Sequence, residues 1–251
     1  MRLSPPVVSV YLMADADTAE LAEAAVGAGA GLLEIGIPYS DPLADGPTVQ
    51  RAGQRSLAAG MTTRRALEVL REVRARGAVP LVPMTYAAPV MAYGEGRFCA
   101  DAAAAGADGL IVPDVPADEA GELVAGCREH GLDLVPLLAP TSADDRIGLA
   151  CAHAGGFVYL VSVAGITGAR ARLSDRVAGL AERVRAHTDL PLLVGFGIAA
   201  PEHAVAALAA GADGVIIGSK AIEVAEAGGP AALHEFIAAV CAAVAGAPKG
   251  V

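Results

Sequence analysis

The chain of 251 residues is predicted to have an α/β fold, a (β/α)₈ TIM barrel, because short apolar runs alternate with helical patterns along its length. One junction recurs, in which a small residue and Gly precede an apolar run: AGAGLLEIG, AGADGLIVPD, AGGFVYLVS and AGADGVIIGS. Each copy is typical of a helix that ends at Gly and is followed by a strand rich in Val, Ile and Leu. Strands that are apolar on both faces belong in a parallel sheet covered by helices.

Eight strands are predicted in chain order, at residues 7–12, 32–37, 80–84, 110–112, 134–138, 157–160, 191–194 and 215–217. Helical patterns separate them, for example at residues 19–28, 64–76, 117–130, 172–187 and 201–210. Eight such units in about 250 residues match the usual size of one barrel. A doubly wound open sheet is the alternative, but its first βα turn is usually glycine-rich and here that turn reads MADAD. No linker interrupts the chain, so residues 1–251 are assigned to a single domain.

The composition excludes several classes of protein. Although 54% of the residues are hydrophobic, no run of about 18 uninterrupted apolar residues could span a membrane. The Ala-rich stretch at residues 231–247 is therefore predicted to be a helix packed on a core. The net charge of −10 argues against binding nucleic acid or an anionic membrane surface. The absence of a signal-peptide pattern and of CxxC spacing predicts a cytoplasmic protein, and the five histidines lack metal-ligand spacing.

Glu34 is the first candidate catalytic residue, because it is a carboxylate in the middle of an otherwise apolar strand. Side chains alternate along a strand, so Glu34 faces the barrel interior if Leu33 and Ile35 face the helices. Burial near the C-terminal end of a barrel strand raises the pKa of a carboxyl group and suits it to acid–base catalysis. The alternative is a structural Glu that pairs with an Arg.

Two further acids lie in the proline-rich loop IPYSDPLADGP at residues 37–47. Asp41 precedes Pro and Asp45 precedes Gly, and both are ordinary turn positions. We interpret Asp41 as a loop-forming residue. For Asp45 we favour a functional role, in which a second carboxylate facing Glu34 binds a proton donor such as a ring N–H.

The last two strands are followed by segments that are suited to binding phosphate. Gly197 follows the seventh strand in GFGI, and Gly218 and Ser219 follow the eighth strand and open a helix. Backbone N–H groups at helix N-termini form the usual phosphate site of this fold. Lys220, just inside that helix, is expected to point to solvent.

The segment SVAGITGARARL at residues 162–173, centred on Thr167, has the composition of a loop that closes over substrate. Tyr159 on the sixth strand is expected to point inward. Its side chain either fills the core or brings a hydroxyl close to the reacting atoms.

Taken together, LLEIGIPYSDPLADGPTVQ, PLVPMTY, GADGLIVPDVP, FVYLVSVAGITGAR, GFGI and GADGVIIGS resemble the tryptophan synthase alpha subunit family along nearly the whole chain. The resemblance implies a TIM-barrel lyase that cleaves indole-3-glycerol phosphate to indole and glyceraldehyde 3-phosphate by a retro-aldol reaction. It also implies that the subunit needs no cofactor, and that indole passes to a pyridoxal-phosphate-dependent beta subunit in an α₂β₂ assembly.

By position, the resemblance implies specific roles. Glu34 would protonate the indole ring at C3 and relay protons, and Asp45 would stabilise the charge that develops on the ring through its N–H. Tyr159 would lie near the catalytic glutamate, while Asp41 and Thr167 would belong to loops that couple to the beta subunit. The phosphate contacts would fall on Gly168, Phe196, Gly197, Gly218 and Ser219.

The sequence departs from the family at four places. The chain starts almost at the first strand, where the family usually has an additional helix, and its usual AGDP reads Ala14-Asp15-Ala16-Asp17. Ala88 replaces an Asn before Pro89, and Ala164 replaces a common Thr. The alternatives are therefore a stand-alone indole-releasing paralogue, a weakly active subunit that mainly activates a beta chain, or another phosphosugar-binding barrel enzyme.

Overall fold

Parallel strands form a closed barrel in the computed structural model, which describes residues 1–161, 170–195 and 197–247. The strands are β1 (Val7–Met13), β2 (Leu32–Gly36), β3 (Leu81–Met84), β4 (Gly109–Leu110), β5 (Asp133–Leu134), β6 (Leu137–Leu138), β7 (Val158–Val161), β8 (Leu192–Gly195) and β9 (Gly214–Ile217). Seven of them pair in the order β3-β2-β1-β9-β8-β7-β6, and β4 pairs with β5. A bridge between Met84 and Ile111 joins β3 to β4. The predicted (β/α)₈ TIM barrel is confirmed.

The fifth predicted strand, at residues 134–138, is observed as two short strands, β5 and β6. Pro136 lies between them and has no N–H to donate to a ladder. Pairing nevertheless continues across the gap, because the Val135 N–H donates to the Leu110 carbonyl and the Pro136 carbonyl accepts from the Tyr159 N–H, both at 3.0 Å. The two segments therefore act as one barrel strand and close the ring.

Helices cover the outside of the barrel. They are α1 (Thr18–Gly27), α2 (Pro47–Ala58), α3 (Thr63–Arg76), α4 (Ala87–Tyr93), α5 (Glu95–Ala104), α6 (Gly121–Glu129), α7 (Asp144–His153), α8 (Arg170–Arg185), α9 (Pro201–Ala209) and α10 (Ser219–Ala245). Pro47 and Pro201 begin two of them, at a position where the missing N–H costs no helical hydrogen bond. The assignment of residues 1–251 to one domain stays a prediction.

Strand alternation divides the buried residues into an outer and an inner apolar cluster. On β2, Leu33 and Ile35 belong to the outer cluster between barrel and helices, whereas Leu32 belongs to the inner cluster. The inner cluster also holds Tyr11 and Tyr159. The predicted orientation of β2 is therefore confirmed, and Glu34 lies on the inner face.

The repeated AGADG segments tie the N-terminal ends of neighbouring strands together. Gly106 and Gly211 end their helices with φ angles of 94° and 93°, a region that Gly enters freely. Asp108 accepts a hydrogen bond from the Leu81 N–H at 2.9 Å, and Asp213 accepts one from the Leu192 N–H at 2.8 Å. Each Asp also pairs with an arginine from the last turn of a helix. Asp108 pairs with Arg74 of α3, and Asp213 pairs with Arg185 of α8.

Helix α10 is the one helix in the described part of the chain that is long and apolar enough in composition to cross a membrane. It bends at Gly229, whose φ of 66° is not helical, and Pro230 follows. Leu233, Ile237 and Val240 are fully buried beyond the bend and belong to the outer apolar cluster. This packing agrees with the predicted core helix.

Candidate active site

Glu34 is a buried carboxyl group inside the barrel, with 1% of its surface exposed. The Ser9 hydroxyl donates a hydrogen bond to Oε1 at 2.8 Å, whereas Oε2 has no hydrogen-bond partner among the described residues. Burial raises the pKa of Glu34 to about 7, and the Ser9 hydrogen bond opposes that rise. No arginine or lysine forms an ion pair with Glu34 in the described regions, so the alternative of a structural Glu–Arg pair is not supported there.

Asp45 lies half-buried where the loop after β2 enters α2. Burial raises its pKa, and a hydrogen bond from the Tyr86 side chain opposes that effect. The loop around Asp45 is held at two backbone points: the Ala44 N–H donates to the Tyr86 hydroxyl at 3.0 Å, and the Gln50 side chain donates to the Asp45 carbonyl at 2.9 Å. The backbone at Asp45 is therefore held by Tyr86, which precedes α4, and by Gln50 on α2.

A cavity of about 180 Å³ opens at the C-terminal end of the barrel. Its wall contains five of the residues predicted from the sequence: Asp45, Tyr159, Gly197, Gly218 and Ser219. Glu34 is not on the wall. Tyr11 and Tyr159 are on the wall, and the charge of Glu34 contributes to their raised pKa values. Asp45 and the predicted phosphate segments therefore lie around one space, and Glu34 is close to two tyrosines of its wall.

Two tyrosines form the inner part of this wall, and each depends on a glycine. A Cβ atom at Gly36 would lie 1.9 Å from the Tyr11 hydroxyl, and one at Gly195 would lie 2.0 Å from the Tyr159 hydroxyl. Any side chain at either glycine would displace a tyrosine. Burial is the main cause of the raised pKa values of both tyrosines, with further contributions from the charges of Glu34 and Asp45. Both phenols therefore stay protonated and can donate hydrogen bonds near neutral pH.

Another part of the wall has the geometry of an anion site. Gly218 is the N-cap of α10 and Ser219 is its first residue, so free N–H groups and the positive end of the helix dipole lie at the cavity. Gly197 adopts a φ of 81° beside them. Lys220 was expected to point to solvent, but it lines the cavity and its ammonium lies 3.6 Å from Glu223. Its side chain is 37% exposed, so that expectation stays a prediction, although the first turn of α10 forms part of the wall.

One other predicted site residue, Asp41, is described by the structure and does not line this cavity. Asp41 is exposed in the loop after β2, where the Ser40 hydroxyl donates to its carboxylate. Thr167, Gly168 and Phe196 lie outside the described residues. Their predicted roles stay predictions, as do the catalytic and binding roles of the other site residues.

Sequence reasoning missed Ser9, Tyr11 and Tyr86. Ser9 and Tyr11 alternate on β1, and this pattern of polar groups two residues apart in an apolar strand could have indicated that both face inward. The register between β1 and β2, which pairs Tyr11 with Glu34, was not accessible from the sequence. Within the described regions, no cluster of His, Cys, Asp or Glu could hold a metal ion.

Comparison with known proteins gives a consistent result. The family model described as tryptophan synthase alpha chain matches residues 8–243. The tryptophan synthase alpha chain of Gluconacetobacter diazotrophicus is 51% identical over 203 residues, which cover 80% of this chain and 74% of that protein. The alpha chain of Roseiflexus castenholzii is 50% identical over 208 residues, which cover 82% and 79%.

Solved structures agree with this similarity. A chain in the structure of Mycobacterium tuberculosis tryptophan synthase has a TM-score of 0.88 at 36% identity, covering 96% of this chain and 93% of that one. Tryptophan synthase subunit alpha from Legionella pneumophila has a TM-score of 0.87 at 34% identity, covering 95% and 92%. The similarity therefore extends over the whole barrel.

Proposed function

The chain belongs to the tryptophan synthase alpha chain family, and we propose that it performs the family's reaction with Glu34 and Asp45 as its two reacting carboxyl groups. The reaction is a carbon–carbon lyase reaction that cleaves indole-3-glycerol phosphate to indole and glyceraldehyde 3-phosphate. The alpha chain itself needs no cofactor, because pyridoxal phosphate belongs to the beta subunit. No observation favours the stand-alone paralogue, the weakly active subunit or another phosphosugar enzyme.

The cleavage requires two proton transfers of opposite direction. The ring carbon C3 gains a proton, which makes the ring an electron sink, and the hydroxyl on the adjoining glycerol carbon loses a proton as it becomes the aldehyde. The electron pair of the broken C–C bond returns to the ring. One carboxyl group can give the first proton and take the second, provided that its pKa lies near the working pH. Glu34, with a pKa of about 7, meets that requirement.

Asp45 has a separate part in this proposal. Protonation at C3 leaves positive charge on the ring, concentrated at the ring nitrogen. A carboxylate that accepts the ring N–H stabilises this charge in a site with little water. Asp45 lies on the cavity wall close enough to Tyr11 and Tyr159 to affect their titration. The phosphate would accept hydrogen bonds from the N–H groups at Gly218 and Ser219, which fixes the substrate's other end.

The observation that carries the proposal is the environment of Glu34. It is a fully buried carboxyl group that accepts a hydrogen bond from one neutral hydroxyl in the described part of the chain. It lies next to two tyrosines of a cavity whose wall also contains a second carboxyl group and a helix N-terminus. A buried carboxyl group with no cationic partner lowers stability, and such groups are concentrated at functional sites.

Replacing Glu34 with Gln tests the proposal. We expect the variant to bind indole-3-glycerol phosphate but to lose indole release by at least about a thousandfold, because the amide can neither give nor take the proton. Glu226→Gln is the matched control, since Glu226 is an exposed carboxylate on α10 that pairs with Arg55. Turnover in Glu34→Gln close to that of the control variant would rule out this role for Glu34.

We further propose that the chain works in the cytoplasm with a beta chain in an α₂β₂ assembly, with the loops of Asp41 and Thr167 as the coupling segments. The family of biosynthetic enzymes supports both statements. Leu43, two residues after Asp41, is 82% exposed, so this loop presents an apolar side chain that is available to a beta chain. Indole release by the isolated chain, measured with and without a beta chain, tests the partnership, and the assembly is tested by the mass of the mixture. The partnership would be contradicted if a beta chain left the rate of indole release unchanged and the two chains kept their separate masses in the mixture.

A further inference from the structure

Ser9 is a fully buried polar residue in the middle of β1, where its neighbours Val8 and Val10 face the outer core. Its hydroxyl makes a hydrogen bond of 2.8 Å to Oε1 of Glu34, across the pairing of β1 with β2. A buried hydroxyl without a partner would lower stability. The hydrogen bond to Oε1 of Glu34 therefore compensates the burial of the Ser9 hydroxyl inside the barrel.

The two oxygens of Glu34 consequently have different environments. Oε1 accepts the Ser9 hydrogen bond, whereas Oε2 is buried and without a partner in the described part of the chain. When a carboxyl group is neutral, one oxygen carries the proton and the other is a carbonyl acceptor. A donor at Oε1 favours the neutral form that carries its proton on Oε2. The same donor also stabilises the ionised form, so Ser9 can keep its bond through a complete proton transfer.

We propose that Ser9 is a positioning residue for Glu34, which holds Oε1 in place and leaves Oε2 as the atom that exchanges protons with the substrate. This inference rests on the proposed function of Glu34 and assigns the transfer to one of its atoms. The other titratable groups near Glu34 are the phenols of Tyr11 and Tyr159, from β1 and β7, whose pKa values its charge helps to raise. The charge of Asp45 acts on the same two phenols. The hydrogen bond to Oε1 that the described structure shows is the one from Ser9.

The test is to remove the hydroxyl and to measure Glu34 directly. In protein labelled with ¹³C at the glutamate carboxyl groups, Glu34→Gln identifies the Glu34 resonance, and its titration is followed in Ser9→Ala. Loss of a hydrogen bond to a charged group corresponds to a rise of about one pH unit in the pKa of Glu34. We also expect kcat to fall about tenfold with little change in KM, because substrate contacts are preserved while the carboxyl group loses its orientation.

Two further variants keep the test specific. Ser9→Cys has nearly the size of Ser but a weaker donor, so the pKa of Glu34 should lie between the values for Ser and Ala. Ser56→Ala removes another fully buried hydroxyl, one that donates to the Ala14 carbonyl, and should leave the Glu34 titration unchanged. If Ser9→Ala titrates as the parent does, or if Ser56→Ala produces the same shift, the proposal is wrong. Retained turnover in Glu34→Gln would instead refute the proposed function. The titration of Glu34 tests the role of Ser9 independently of turnover.

Discussion

The two ends of the barrel use the same kind of side chain in opposite ways. At the N-terminal end, Asp108 and Asp213 each accept a strand N–H and pair with an arginine. At the C-terminal end, Glu34 and Asp45 form no ion pair with Lys or Arg in the described regions, and burial raises the pKa of both. The first arrangement compensates the charge and ties strands together. The second leaves the carboxyl groups able to exchange protons or to meet a cationic transition state, at a cost in stability.

Neutralising Asp45 is expected to give the largest effect that distinguishes the two ends. Asp45→Asn keeps the shape of the side chain but loses the charge that stabilises the ring cation. By analogy with the loss of one electrostatic group in other active sites, kcat/KM should fall about 100- to 1,000-fold. Steady-state indole release measures it, with Asp108→Asn as the matched Asp-to-Asn control from the other end. A fall of less than about tenfold would mean that Asp45 does not face the developing charge.

The stability cost of Glu34 gives the next prediction. The pKa of its carboxyl group is about 7 in the folded protein and 4.5 in a reference peptide, so the folded state binds more protons between those pH values. The free energy of unfolding therefore falls as pH rises from about 4.5 to 7, and then stays lower by about 3 kcal/mol. Glu34→Gln cannot titrate, so it should gain about that much relative to the parent between pH 4.5 and 8.

Urea denaturation of the two proteins at several pH values measures this difference. A constant offset between the two stability curves would show that Glu34 has an ordinary pKa in the folded state. A growing offset, together with lost turnover, would show that the same burial that prepares Glu34 for proton transfer also destabilises the barrel.

The features that depend on local sequence patterns were predicted correctly. Strand alternation placed Glu34 inside the barrel, and the Gly-containing junctions at Gly106 and Gly211 marked helix ends correctly. The partners of the acids were not predictable, because Ser9 meets Glu34 only through the β1–β2 register and Arg74 meets Asp108 across 34 residues. The break at Pro136 was missed although Pro lacks the N–H of a ladder. Pro alone does not fix such a break, because Pro83 lies inside the continuous strand β3.

The acids at the N-terminal end are expected to give the smallest effect, and one confined to stability. Asp213→Asn keeps an oxygen that can accept the Leu192 N–H but loses the charge that pairs with Arg185. Because both side chains of this pair are about one-third exposed, solvent screening limits the loss to about 1 kcal/mol. Asp213→Ala also leaves the N–H without an acceptor and should lose about 1–3 kcal/mol more. Urea denaturation measures both losses. Indole release should stay within about twofold of the parent, since the cavity lies at the other end of the strands; a larger fall in a folded variant would mean that the two ends are mechanically coupled.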